Sequence, residues 1–91
     1  MAEPTTRTVA IVNRRGLHAR AAAKFVRMAG QFDAAVKVGH GGQEVSGLSI
    51  MGLMMLAAGI GASIHISAGG RQATEALEAL VALVEGKFGE D

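Results

Sequence analysis

The chain has 91 residues, of which 49% are apolar, so we expect one domain spanning residues 1–91 with a small core. That core must be mostly aliphatic, because the sequence contains three Phe and no Trp or Tyr. The net charge of +1 argues against nucleic acid as a partner, and the absence of cysteine excludes disulfides and thiolate chemistry and fits the reducing cytoplasm.

Hydrophobic periodicity predicts the element order β-α-β-β-α-β-α. The predicted strands are residues 8–12, 35–38, Gln43–Ser46 and 63–67, and the predicted helices are Ala19–Ala29, 50–58 and 71–85. Gly30 ends the first helix, and Gly41-Gly42 joins two strands as a two-residue hairpin. This order predicts an α+β open-faced sandwich, in which three helices cover one face of a four-stranded antiparallel sheet.

A long uncharged stretch needs comparison with a membrane span. Residues 45–70 contain no Asp, Glu, Lys or Arg, and residues 48–66 are long enough to cross a bilayer. Within them, however, Gly59, Gly61 and His65 interrupt the apolar run, and the pattern changes from helical to alternating. We therefore expect no membrane insertion.

The segment Gly16-Leu17-His18-Ala19-Arg20 places a histidine where a helix begins. The first amides of a helix lack intrahelical acceptors and attract anions. Neutral imidazole is a nucleophile near pH 7. His18 is therefore a candidate phosphoryl acceptor, and we expect its ring to be exposed beside those amides. The spacing alone leaves a local cap or a surface residue without a role as alternatives.

Three basic residues follow His18 along one face of the first helix. Arg20, Lys24 and Arg27 are spaced by four and three residues, which puts them in one stripe. Such a stripe is often only a solvated face, but next to His18 it indicates a docking surface for an acidic partner. Arg20 has a second predicted role, pairing with the phosphate itself.

The second predicted helix is apolar on more sides than a one-sided sandwich can bury. We expect Leu53 and Leu56 to face the core. Ile50, Met51 and Met54 are then predicted to form an exposed patch, and methionine suits surfaces that meet several partners. With the basic stripe, this patch would form a docking face beside His18.

The chain resembles the HPr family, the histidine-containing phosphocarriers of the bacterial phosphoenolpyruvate-dependent phosphotransferase system. The resemblance rests on Gly16-Leu17-His18-Ala19-Arg20 and on Ser49-Ile50-Met51-Gly52-Leu53, and it covers nearly the full chain. It implies that His18 is phosphorylated on Nδ1 with Arg20 as its charged neighbour. It also implies enzyme I as donor, enzyme IIA domains as acceptors, and a cytoplasmic monomer that serves sugar transport without cofactor, metal or enzymatic turnover.

Ser49 is predicted to be the N-cap of the second predicted helix. The resemblance implies a second role, as the serine that a regulatory HPr kinase/phosphorylase modifies. Ser46, inside a predicted strand, is a weaker competitor. Two alternative functions stay open: a phosphocarrier of a regulatory branch for nitrogen or carbon control, and a docking module that is never phosphorylated and acts through its Met-rich face.

Two residues beside His18 depart from the family pattern. Ala21 stands where many relatives have proline, and Arg15 stands where asparagine is frequent. Loss of proline would loosen the first helical turn, while a cation at position 15 would help hold phosphate. The other histidines, His40 and His65, lack the spacing of metal ligands, and we expect no metal site.

Overall fold

The computed structural model describes residues 4–90. It confirms the predicted order of elements and adds one turn of 3-10 helix near the C-terminus, which we call the C-terminal turn. In chain order, the elements are β1 (Thr5–Ala10), α1 (Ala19–Ala29), β2 (Ala35–His40), β3 (Gln43–Ser46), α2 (Ile50–Met55), β4 (Ser63–Gly69), α3 (Ala73–Glu85) and the C-terminal turn (Lys87–Gly89).

The four strands form one antiparallel sheet in the order β1-β4-β2-β3. Alternation decides which face is covered: Ile64 and Ile66 of β4 are fully buried, while His65 between them is exposed. The predicted open-faced α+β sandwich is therefore confirmed. The opposite, uncovered face of the sheet carries polar side chains such as Thr8 and Lys37.

The core lies between the sheet and the helices. Each large aliphatic or aromatic side chain that is fully buried there contributes about 1.5–3 kcal/mol to folding. The largest such side chains are Phe25, Phe88, Ile11, Leu53, Ile64, Ile66, Leu80, Val38 and Val84. Leu53 and Leu56 face this core as predicted, and they fix α2 in place.

The hairpin between β2 and β3 has the predicted two-residue loop. Gly41 and Gly42 have φ angles of 60° and 82°, which a type I′ turn requires and which side chains disfavour. His40 pairs with Gln43 across it.

Six predicted boundaries were wrong. The first strand ends at Ala10 rather than at residue 12, β2 extends to His40 rather than to residue 38, and β4 extends to Gly69 rather than to residue 67. The second helix ends at Met55 rather than at residue 58, because Ala57 takes a left-handed φ of 53°. The first strand begins earlier, at Thr5, because it pairs along β4 as far as Ala68. The third helix begins at Ala73, because the amide of Gln72 is bonded outside the helix, to the carbonyl of Asp33 at 2.8 Å. Within residues 4–90, no helix has the length and apolarity that a bilayer crossing demands.

Candidate functional site

The turn that presents His18 depends on a glycine. Gly16 has a φ of 65°, and a Cβ atom there would lie 2.5 Å from the carbonyl oxygen of Ala58 and 2.8 Å from Cα of Gly59. The neighbouring amide of Leu17 donates to the same Ala58 oxygen at 3.0 Å. The loop after α2 therefore holds the turn from one side, and only glycine permits so close an approach.

The N-terminus of α1 is left without an anionic partner of its own. His18 is the N-cap residue, with extended backbone angles, but its side chain makes no capping hydrogen bond, and the first turn has no acidic residue. The other two helices differ, since the side chain of Ser49 caps α2 and Glu75 lies in the first turn of α3. No residue of the first turn of α1 therefore compensates the positive end of the helix dipole.

The imidazole of His18 is held through one of its two nitrogens. Nε2 is hydrogen-bonded to Oε2 of Glu90. An ionised carboxylate only accepts hydrogen bonds, so Nε2 is the donor. None of the hydrogen bonds within residues 4–90 involves Nδ1. Only 13% of the side chain is exposed, so the prediction of an exposed ring was wrong: the C-terminal segment that carries Glu90 lies against it.

Glu90 is held on its other oxygen by a buried asparagine. The Nδ2 group of Asn13, which is fully buried, donates to Oε1 of Glu90 at 3.1 Å and to the carbonyl of Gly16 at 2.8 Å. Burial alone would raise the pKa of Glu90, but hydrogen bonds from Asn13 and His18, with the charges of His18 and Lys24, outweigh it and hold the pKa below its ordinary value of 4.5. The carboxylate is therefore the favoured form beside the ring.

The C-terminal turn brings Glu90 back to the site. Lys87 and Phe88 both adopt left-handed backbone angles, with φ of 60° and 54°, so the chain reverses after α3. The Phe88 side chain is buried in the core, and the Lys24 ammonium donates to its carbonyl oxygen at 2.6 Å. The segment that carries Glu90 is thus fixed both by apolar packing and by a charged hydrogen bond.

Sequence reasoning did not predict the roles of Asn13, Phe88 and Glu90. Asn13 was assigned only to a polar loop, and no element was predicted after residue 85. The signal that could have found the segment is Phe88 itself, since a lone aromatic residue in a polar tail is expected to be buried.

The predicted basic stripe is only partly exposed to solvent. Arg20 and Arg27 are exposed, whereas Lys24 is half-buried and bonded to the C-terminal turn. Arg20 is the second residue of α1, and among the described residues it forms no ion pair. Of the stripe, Arg20 is the exposed residue that lies nearest to His18 along the chain.

The two departures from the family pattern, at Ala21 and Arg15, both lie beside the His18 turn. Ala21 is fully buried in the first turn of α1, which is helical from Ala19 onward without a proline. Arg15 is exposed in the turn before Gly16.

The predicted apolar patch on α2 is exposed. Met51 has 72% of its surface accessible, and Ile50 and Met54 are also exposed. The structure extends the patch by Met55, as exposed as Met51, which the prediction left out, and further exposed apolar residues flank α2 in sequence: Leu48 and Ile60. Leu53 and Leu56 pack into the core and hold α2 in place, while its other sides remain exposed to solvent.

Ser49 caps α2 as predicted, accepting a hydrogen bond from the Gly52 amide at 2.9 Å. Ser46, the competing serine, accepts from the Leu48 amide at 3.1 Å. The remaining histidines have structural contacts: Nδ1 of His40 donates to the carbonyl of Ser63, and Nδ1 of His65 is bonded to the Thr8 hydroxyl on the uncovered face. No cluster of three or more potential metal-ligating His, Asp or Glu residues occurs within the described range.

Comparison with known proteins agrees with this geometry. Residues 5–86 match the family model described as the phosphotransferase-system HPr component phosphorylation site. The chain is 48% identical to "Phosphocarrier protein HPr" of Cupriavidus necator, over 92% of this chain and 94% of the relative. It is 44% identical to "Phosphocarrier protein NPr" of Shewanella violacea, over 92% of each chain. A crystal structure of HPr from Thermoanaerobacter tengcongensis superposes with a TM-score of 0.91 at 42% identity, covering 96% of this chain and 98% of that one.

The fold and these relatives define the class of phosphocarrier proteins. The chain belongs to the HPr family of the bacterial phosphotransferase system.

Proposed function

We propose that His18 accepts a phosphoryl group on Nδ1 from enzyme I and passes it to enzyme IIA domains. The observation that carries this proposal is the placement of His18 at the start of α1, where its side chain makes no capping hydrogen bond and the first helical turn contains no acidic residue. A phosphoryl group on His18 would meet the positive end of α1, and Arg20 would pair with its oxygens. One arginine on an open surface holds phosphate only moderately, which suits a carrier that must release it.

The test is phosphorylation with phosphoenolpyruvate and enzyme I. We expect an acid-labile, alkali-stable phosphate on the parent protein and none on His18→Ala. His65→Ala is the matched control, because it removes an exposed histidine from the uncovered face of the sheet and should leave labelling unchanged. Labelling that survives His18→Ala would remove His18 from the mechanism, and a parent protein without any label would favour the docking module that is never phosphorylated.

We further propose that the α2 patch (Ile50, Met51, Met54 and Met55), with Arg20 and Arg27, forms the docking face for both partners. The loop after α2 contacts the Gly16 turn that leads into His18, and this contact supports a docking face shared by the patch and the first helix. Met51→Asp should weaken enzyme I binding, measured by calorimetry, with little loss of stability because the side chain is mostly exposed. The control, Ala35→Asp, adds the same charge at an exposed position on β2. Equal affinities for the two variants would place the docking face elsewhere.

Ser49 is proposed as a regulatory phosphorylation site, by its likeness to the serine modified in the family. A phosphate there would add a charge of about −2 at the start of α2, which would repel acidic partners from the neighbouring docking face. An acid-stable phosphate formed with ATP and HPr kinase should be absent from Ser49→Ala and present on Ser46→Ala. The reverse pattern would assign the modification to Ser46.

A regulatory-branch phosphocarrier is the second candidate function, and the similarity to the Shewanella violacea protein named NPr favours it. The discriminating measurement compares rates of labelling by the sugar-branch and the regulatory-branch enzyme I of one host. Faster labelling by the sugar-branch enzyme supports transfer to sugar permeases, and the opposite result supports regulation.

A further inference from the structure

We propose that Glu90 is a positioning residue for His18: its carboxylate keeps the ring proton on Nε2, so that neutral His18 presents the lone pair of Nδ1. The inference rests on the proposed function, in which Nδ1 accepts the phosphoryl group. Because the hydrogen bond at one imidazole nitrogen sets the tautomer, a carboxylate on Nε2 requires the proton to be there.

The carboxylate is held in place independently of any partner. Asn13 fixes its second oxygen, and Asn13 is itself fully buried and bonded to the Gly16 carbonyl. Phe88, two residues earlier, is buried in the core with its carbonyl bonded to Lys24. The Glu90 amide donates to the Lys87 carbonyl at 2.9 Å, which closes the C-terminal turn. The ring orientation is therefore fixed before a partner docks.

The contact between Glu90 and His18 has a defined role in the phosphoryl transfer step. The Nδ1 lone pair forms the bond to phosphorus, and the bond between phosphorus and the donor atom of enzyme I breaks, with its electron pair leaving on the donor. The proton stays on Nε2, so the phosphorylated ring carries a positive charge that faces the Glu90 carboxylate. In the onward transfer a nucleophile of the enzyme IIA domain forms a bond to phosphorus, the N–P bond breaks and its electron pair returns to Nδ1. Glu90 stabilises the ring in both directions without taking its proton.

Two other roles for Glu90 are a purely structural contact of the C-terminal turn and a charge that repels phosphate. A purely structural contact would change stability when removed, but not the site of the ring proton. A carboxylate that mainly repelled the incoming phosphoryl group would give faster labelling when removed. Both alternatives differ from the proposal in a measurable quantity.

The test compares Glu90→Ala with Glu90→Gln and with Glu85→Ala. Glu85 is exposed at the end of α3 and makes no ion pair within the described residues, so its variant matches the charge change alone. Long-range ¹⁵N NMR should place the proton of neutral His18 on Nε2 in the parent and in Glu85→Ala. In Glu90→Ala a share of the Nδ1–H tautomer should appear, and the rate of phosphoryl acceptance should fall about tenfold. Glu90→Gln, which keeps an acceptor oxygen, should retain the parent tautomer and recover part of the rate.

An unchanged tautomer in Glu90→Ala, or a rate that is unchanged or higher, overturns the proposal. A parent protein that is not phosphorylated on His18 is a failure of the proposed function, and the NMR measurement then decides by itself whether Glu90 positions the ring.

Discussion

Replacing Gly16 with alanine tests whether backbone contact with the loop after α2 builds the His18 turn. Alanine in the left-handed region costs about 1–2 kcal/mol. In addition, its Cβ would lie 2.5 Å from the Ala58 carbonyl oxygen, so the turn must move and the hydrogen bond from Leu17 to that oxygen is lost, at about 0.5–1.5 kcal/mol. The total of about 1.5–3.5 kcal/mol corresponds to a fall in Tm of roughly 6–28 °C for a domain of this size.

Two other glycines separate these contributions. Gly61 has a φ of 88° but open space around its position, so Gly61→Ala reports the conformational cost alone. Gly59 has open space and no positive φ, and alanine there should be neutral or stabilise slightly. Thermal unfolding followed by circular dichroism gives the three values, and phosphorylation of the folded Gly16→Ala protein should also be slower. Equal losses for Gly16→Ala and Gly61→Ala would refute the reasoning, because the close approach would then have no energetic consequence.

Three further predictions concern the cap, the C-terminal turn and pH. Ser49→Ala should lower the free energy of unfolding by about 1 kcal/mol in urea titrations, while Ser49→Asp should retain most of the parent stability. Identical midpoints for the two variants would contradict a cap in which the Ser49 hydroxyl accepts from the Gly52 amide. Phe88→Ala should cost about 3–5 kcal/mol and speed hydrogen exchange at the Glu90 amide, and a loss below about 1 kcal/mol would show that the turn is not anchored by the core. The folded state holds the pKa of Glu90 below 4.5, so the contribution of the Glu90 carboxylate to stability is present above that pH and is lost as pH falls through the lowered pKa. Glu90→Gln should flatten this part of the curve of stability against pH. An unchanged curve would exclude the contact with His18.

Local patterns in the sequence were sufficient for most of the fold. The bounds of α1 were predicted correctly because its apolar residues recur at helical spacing and Gly30 follows at its end. The prediction for α2 ran too far because Ala57 gives no sign in the sequence that it will take a left-handed angle. Its conformation is set by the loop that contacts the Gly16 turn, and such a contact between distant segments has no local signature.

The sequence predicts His18 and Arg20 as site residues, but it does not predict the contact between His18 and Glu90. His18 and Arg20 stand out because a histidine at a helix start has a chemical meaning that the sequence alone conveys. The contact with Glu90 joins residues 72 positions apart, and it depends on consecutive left-handed angles at Lys87 and Phe88. Neither residue is a glycine, so the reversal of the chain could not be inferred from residue type.

The uncovered face of the sheet offers a convenient place for spectroscopic probes. The chain has no cysteine, so a single thiol introduced at Lys37, which is exposed on β2, would accept one fluorophore or spin label. The helices lie on the other side of the sheet from that position. A reporter there would follow association with a partner while leaving the surface around His18 chemically untouched.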